Sequence, residues 1–204
     1  MQQRIKVMIH NLLSHKKVIL ASASPRRQEL FSLLGIAYQI IPAEIEEKVN
    51  DKLPQNQAME NALLKAKAVL NKVPDDALIV AADTLVAIDN IILGKPQDIT
   101  EAKGYLSILS GRRHSVFTGI CIYCNDTVNI SYEQTFVQFA PLTEAEIDAY
   151  IATGEPMDKA GAYGIQGYGA QFIIKVEGCY FNVMGFPIRL FYDLLKQILG
   201  KEEQ

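Results

Sequence analysis

The sequence predicts an α/β fold with a mixed central sheet flanked by helices. Apolar runs too short for helices, Val18 to Ala21 and Ala77 to Ala82, read as strands buried on both faces. Helix-start and helix-stop residues separate the apolar runs, as in strand–helix units. A turn at Asp89-Asn90 between apolar stretches reads as a hairpin. Hairpins and strand–helix units together require parallel and antiparallel pairs in one sheet.

The elements follow in order. The lead-in through Lys17 has basic residues around a short apolar patch and no small-residue cleavage site, so it reads as an amphipathic or frayed helix and not as a signal peptide. After the first strand, Ser24 at N-cap and Pro25 at N1 open a helix with Leu30, Phe31, Leu33 and Leu34 on its apolar face, and Gly35 stops it. Tyr38 to Ile41 reads as a second strand, followed by an acidic loop with Glu44, Glu46 and Glu47. Gln57 to Leu70 is built of strong helix formers and ends before Pro74. The strand from Ala77 is expected to end at Asp83-Thr84, with a hairpin-like return through Val86, Ile88 and Ile91 to Leu93.

Asp98 with Glu101, and Thr143 with Glu146, are capping-box pairs. They open helices that run to Leu109, stopped by Gly111, and to Gly154. Val116 to Tyr123 and Val128 to Phe139 alternate as strands between them. Ala160 to Gly169 is glycine-rich, Phe172 to Val176 and Tyr180 to Val183 read as a terminal hairpin, and Pro187 opens a last helix to Leu199. The division expected is an N-terminal extension over 1–16, one domain over 17–199 and a tail over 200–204.

Composition narrows the function classes. The 204 residues are 49% hydrophobic and 21% charged, ordinary for a folded globular chain and far from disorder. A net charge of −3 argues against a duplex-binding domain but leaves room for a local anion pocket. No apolar run approaches the roughly 18 residues of a membrane helix. Three cysteines form no disulfide framework, and a reducing cytoplasm is the expected compartment.

Several groups could carry chemistry. Ser22 to Arg27 sets two hydroxyls and two guanidiniums around a helix start, an anion cradle in which phosphate is the natural guest. The competing reading is a simple Ser24 cap with solvated arginines, and no Walker loop is present. Asp83, at the end of a buried strand, needs a partner or a metal. A glutamate of the acidic loop paired with Asp83 would make a hard oxygen site for Mg²⁺, although alternating glutamates are usually only solvated. Lys65 lies beside an apolar helix face, where lysines snorkel, and Lys95 follows Gly94 where it could reach a phosphate. Gln166, in the glycine-rich segment, has an amide able to read a base edge. Cys121 and Cys124 have C-x-x-C spacing but fall inside a strand pattern, and His114 reads as structural.

Taken in order, several motifs resemble the Maf family of nucleotide pyrophosphatases. They are Ala21-Ser22-Ala23-Ser24-Pro25-Arg26-Arg27, Ala82-Asp83-Thr84, Leu93-Gly94-Lys95-Pro96, Leu109-Ser110-Gly111 with His114 and Thr118-Gly119, Asp158 to Gly167, and Asn182-Val183-Met184-Gly185-Phe186-Pro187. The resemblance covers Lys17 to Leu199. It implies an elongated, two-lobed, ITPase-like α/β fold with a nucleotide cleft between the lobes. It also implies metal-dependent hydrolysis of a nucleoside triphosphate to monophosphate and pyrophosphate. The segment from Asp158 to Gly167 is similar to the branch that acts on dTTP and UTP.

By the same resemblance Asp83 is the proton acceptor, and Arg27, Thr84 and Gln166 set base specificity. Ser22, Arg26, Glu47, Lys65 and Lys95 match further cleft positions, and Ser24 joins the expected substrate-binding set. Phe186 stands where leucine is usual, and the N-terminus is extended.

A free aspartate, with a pKa of about 3.9, is a poor base at neutral pH. The expectation is therefore that Asp83 and Glu47 hold Mg²⁺ or Mn²⁺ and orient water onto the α-phosphorus. Lys65 and Lys95 join them in the catalytic set, and Asp83→Asn is expected to remove turnover while leaving folding intact. The expected partner is a small-molecule nucleoside triphosphate, with no nucleic acid and no membrane, and a homodimer is left open. Two other classes compete. One is a nucleotide-binding regulator of septum formation with negligible turnover. The other is a thiol module on Cys121 and Cys124, which predicts loss of function on Cys→Ser.

Overall fold

The computed structural model describes residues 8–45 and 53–199. Its strands are β1 (Val18–Leu20), β2 (Gln39–Ile40), β3 (Leu78–Ile88), β4 (Ile91–Leu93), β5 (Arg113–Cys124), β6 (Thr127–Phe139) and β7 (Ile173–Glu177). Its helices are α1 (Ile9–Leu12), α2 (Pro25–Leu33), α3 (Pro54–Lys67), α4 (Ile99–Leu109), α5 (Glu144–Ala152), α6 (Tyr180–Val183) and α7 (Ile188–Leu199). The strands form one sheet in the order β2-β1-β3-β5-β6-β7. The β1–β2 and β1–β3 pairs are parallel, and the others are antiparallel. The mixed α/β sheet is the class that the strand–helix units and hairpins predict.

β3 differs most from expectation. It does not end at Asp83 but runs on to Ile88 and turns into β4 through Asp89 and Asn90, both at positive φ. The reason lies in its partners. β5 pairs along one edge from Ile79 to Ala87, so Asp83 sits opposite Gly119 and Thr84 opposite Thr118. The other edge is shared: β1 takes Leu78 to Val80 and β4 takes Val86 to Ile88. The stretch between them, which carries Asp83 and Thr84, is held in strand form by β5 and left open on that edge.

Side-chain alternation along β3 sorts the core. Ile79 and Ala81 point toward α3, where Ala62 and Ala66 meet them, and Leu85 and Ala87 meet Ala58. Leu78, Val80 and Ala82 point to the opposite face, among Phe31, Phe186, Phe191 and Leu195 from α2, α7 and the turn before α7. Val86 and Ile88 reach a second cluster on that face, with Leu106 of α4, Tyr150 of α5 and Tyr163. Thr84 stands between these two clusters.

Gly119 decides how closely α3 lies on the sheet. A Cβ there would run into the backbone of Ala58, so only glycine lets the helix settle over β5 and β3.

The helix starts show what local signals can and cannot determine. The Thr143–Glu146 capping box forms in full. Asp98 accepts from the Glu101 N–H, but the Glu101 carboxylate turns to the N–H of Gln97 and the hydroxyl of Tyr105 instead. Ser24 is the N-cap of α2 without a side-chain bond, and the Ser22 hydroxyl accepts from the Ser24 N–H in its place. α3 begins before Gln57, because Pro54 takes N1.

Tyr180 to Val183 is a helical turn, not the expected strand. Asn182 imposes it: fully buried, it donates from Nδ2 to the Val116 carbonyl and to the Thr135 hydroxyl. Those bonds bind the turn down onto β5 and β6.

Candidate active site

A cleft of about 630 Å³ opens at the stretch of β3 left unpaired on one edge. It is walled on one side by Ser22 to Arg27 and Met184-Gly185, and on the other by Glu155 to Gly167. Asp83, Thr84, Lys65 and Lys95 also line it. The cleft therefore forms where β1 and β4 leave the β3 edge unpaired, between the two core clusters.

Asp83 faces α3 and is 3% exposed. Lys65 Nζ lies 2.5 Å from Asp83 Oδ1, and Asn61 Nδ2 donates to Oδ2 at 2.9 Å. Gln57 Nε2 donates in turn to Asn61 Oδ1 at 2.8 Å. Gln57, Asn61 and Lys65 are spaced by four, so one helix stripe delivers all three to one carboxylate. The Gln57 bond also fixes the orientation of the Asn61 amide: with its oxygen engaged, the NH₂ must face Asp83. A buried carboxylate with an ammonium and an amide on its two oxygens is held immobile.

Thr84 points to the opposite face and meets Arg27. The Arg27 guanidinium is 8% exposed and donates to Gly185 O, Ser22 Oγ and Thr84 Oγ1, at 2.9, 3.0 and 3.0 Å. Thr118 donates to the Asn182 carbonyl at 3.1 Å, which leaves its oxygen to accept the Thr84 proton across 3.0 Å. The chain Arg27, Thr84, Thr118 and Asn182 thus has one consistent direction of donation. Arg27 is built into the wall of the cleft, where the sequence presents it as one of two equivalent guanidiniums.

Arg26 is the guanidinium at the surface of the cleft, 3.7 Å from Asp158. Asp158 also takes Lys159 Nζ at 2.6 Å. Burial pushes the Asp158 carboxyl up, but Lys159 and Arg26 pull it further down, below its ordinary range. Ser24, Lys95 and Gln166 complete the lining, with Lys95 and Gln166 exposed. Ser22, Ser24, Arg26, Arg27, Lys65, Asp83, Thr84, Lys95 and Gln166 therefore meet in one cleft. Glu47 lies outside the described residues, as does Glu46.

The donor set suits a lightly held, hard divalent cation. Among the described residues no three His, Cys, Asp or Glu side chains cluster as a metal cage. Mg²⁺ commonly binds through one or two carboxylates with substrate phosphates and water completing its shell. Asp83 would be one such carboxylate, at the cleft floor.

The thiol reading fails on geometry. Cys121 packs with the α3-side core and Cys124 with the opposite one, as positions three apart in a strand must. Burial pushes the Cys121 thiol up to about 12. His114 is structural, buried against Phe139 and 2.8 Å from the Tyr163 hydroxyl. Sequence reasoning missed Gln57 and Asn61. Their signal was polar residues at every fourth place beside Ala58, Ala62 and Ala66, on a face that should otherwise be wholly apolar.

A family description, Maf-like protein, matches residues 17–198. The dTTP/UTP pyrophosphatase of Bacillus cereus (strain ATCC 10987 / NRS 248) is 47% identical over 183 residues, covering 89% of this chain and 90% of that one. The dTTP/UTP pyrophosphatase of Bacillus anthracis is 46% identical over 183 residues, covering 89% and 95%. The solved structure of the Staphylococcus aureus Ham1 protein overlays with a TM-score of 0.49 at 14% identity, over 89% of this chain and 99% of that one. With the family match running from the start of β1 to the end of α7, this chain belongs to the Maf family.

Proposed function

We propose that this protein hydrolyses dTTP and UTP to the nucleoside monophosphate and pyrophosphate. One observation carries the reading: a buried carboxylate, Asp83, held by Lys65 and Asn61 at the floor of a cleft with cations on its walls. Relatives that bear the name dTTP/UTP pyrophosphatase match nearly their full length and agree with it.

The chemistry asks for little covalent participation. Cleaving the α–β anhydride consumes one water, breaks one P–O bond and releases pyrophosphate, so catalysis rests on positioning and charge. Asp83, immobilised through both oxygens, orients the attacking water and takes its proton. Arg26, Lys95 and the N-terminus of α2 meet the triphosphate, and Ser22 and Ser24 supply hydroxyls beside it. Asp83, with Glu47, would hold Mg²⁺ or Mn²⁺. Such an ion supplies charge neutralisation and more acidic water. Thr84 and Gln166 would meet the base, and Arg27 fixes Thr84. A cytoplasmic role in nucleotide-pool housekeeping fits this activity. No helix among the described residues is long and apolar enough to cross a membrane.

The test is product analysis over a panel of nucleoside triphosphates with Mg²⁺ or Mn²⁺. Monophosphate and pyrophosphate from dTTP and UTP support the reading. Saturable nucleotide binding without turnover would overturn it in favour of a nucleotide-responsive regulator.

A further inference from the structure

The segment that carries Gln166 has no regular secondary structure of its own between Gly164 and Gly167, yet it is tied at both ends. On the far side, Glu155 Oε2 accepts from the Tyr168 N–H at 2.7 Å, and Oε1 accepts from the Gly169 N–H at 3.2 Å. On the near side, the Gly164 N–H donates to the Tyr150 hydroxyl oxygen at 3.1 Å. That hydroxyl donates to Glu155 Oε1 at 2.9 Å. One carboxylate and one phenol therefore hold both ends, and Ile165, Gln166 and Gly167 span the gap.

The glycines of the segment fit this arrangement. A Cβ on Gly167 would overlap the Glu155 carboxylate, and one on Gly164 would come within 2.9 Å of Oε1. A Cβ on Gly169 would lie 2.7 Å from the Tyr150 hydroxyl. The backbone is bare where these two side chains must approach it. Tyr150 is anchored by its ring, 2% exposed in the second core cluster and edge-on to Phe172. Ile165 packs against the first cluster, which turns Gln166 outward to the rim.

We propose that Glu155 is a positioning residue for base selectivity, acting through Gln166. The inference rests on the proposed dTTP and UTP hydrolysis, in which Gln166 meets the base. Three donors converge on Glu155, two of them backbone N–H groups that cannot turn away, so the site calls for a carboxylate and not an amide. Glutamine would set its NH₂ against one of those N–H groups. The segment would loosen, and Gln166 would no longer be held where it discriminates between base edges.

The experiment compares kcat/KM for UTP and CTP in the parent, Glu155→Gln, Gln166→Ala and the double variant, with Tm measured for each. Expected is a UTP-over-CTP ratio narrowed about tenfold by Glu155→Gln, the size of one lost polar contact. The loss should fall on KM for UTP more than on kcat, and the double variant should be no less selective than Gln166→Ala alone. A ratio equal to the parent's in Glu155→Gln, with Gln166→Ala narrowed, overturns this proposal and leaves the function standing. A lower Tm with an unchanged ratio does the same, because it assigns Glu155 to stability alone. Losses that add in the double variant also overturn it, since the two residues would then act separately. No narrowing in Gln166→Ala removes Gln166 from base choice and this proposal with it, and a parent without hydrolysis overturns the function itself. Should Glu155→Gln not fold, Tyr150→Phe removes the tie to Gly164 and the hydroxyl's bond to Glu155, keeps both backbone N–H bonds to Glu155, and is judged by the same ratio.

Discussion

Lys65 Nζ lies 2.5 Å from Asp83 Oδ1, with both side chains almost wholly out of water. The pair joins α3 to β3 at the floor of the cleft, so the same contact serves the fold and the reaction. Asp83→Asn, which the sequence suggests would remove turnover and leave folding intact, is therefore expected to weaken the fold as well. It removes the carboxylate charge beside a buried ammonium, and breaking a buried pair costs about 3–5 kcal/mol. Expected are turnover lower by orders of magnitude and a clearly lower Tm. Adding Lys65→Met should restore much of the stability, because an apolar replacement of a buried pair is often neutral, but none of the activity. Denaturant unfolding and product release on the same preparations check both. A double variant as unstable as Asp83→Asn would mean that the charge pair is not what holds the two elements.

Asn61 should matter to rate more than to affinity. Asn61→Leu keeps the branched shape and removes the donor to Asp83 Oδ2. A hydrogen bond to a charged group is worth about 1.5–3 kcal/mol, so kcat should fall roughly tenfold to a hundredfold. KM for nucleotide should hardly move, because the Asn61 side chain is turned toward Asp83 and Gln57. Steady-state kinetics on dTTP decides it, and a loss carried by KM would contradict the assignment.

Gly119→Ala should damage activity from a distance. Gly119 pairs with Asp83 across β3 and β5, and its missing side chain is what lets α3 lie close. A methyl there meets the Ala58 backbone, which cannot swing aside as a side chain would. Overpacking of this kind costs about 1–3 kcal/mol or more. As α3 shifts, Lys65 and Asn61 move away from Asp83. The expected result is a lower Tm together with a lower kcat, read by thermal unfolding and product assay.

Stability should also fall on acidification through His114. Burial lowers its pKa from 6.5 to about 4, so between those values the unfolded chain binds the proton and the folded chain does not. Stability is unaffected by this group above pH 6.5, declines as pH drops toward 4 and then levels off. The full decline from this residue is about 3 kcal/mol. In His114→Phe that part of the slope should vanish. Urea unfolding from pH 7 down to about pH 4 tests it, and an unchanged slope would assign the acid sensitivity to other groups.

Much of the architecture was legible in the sequence because it is set by short-range rules. The Thr143–Glu146 box, the Gly35 stop at φ +64 and the Asp89-Asn90 turn depend on neighbours a few residues away, and all three appear as read. The alternation of Val128 to Phe139 depends only on which face is buried. The ordered motifs also identified the family and brought Ser22, Arg26, Lys65, Asp83, Lys95 and Gln166 to one list before any of them could be seen to meet.

What local rules could not supply was decided by partners far along the chain. β3 passes through Asp83 because β5, more than thirty residues later, pairs along its edge. Tyr180 to Val183 coils because Asn182 finds Val116 and Thr135. Arg27 is immobilised because Gly185 and Thr84 surround it, although its neighbour Arg26 looks the same in sequence. The Gln57–Asn61–Asp83 chain exists only because Gly119 lets α3 approach. The sequence by itself determined which residues carry charge, which faces are apolar and where helices start and stop. Only the tertiary structure decided which charges are paired and buried, because long-range contacts set the desolvation and geometry that give a side chain its chemistry.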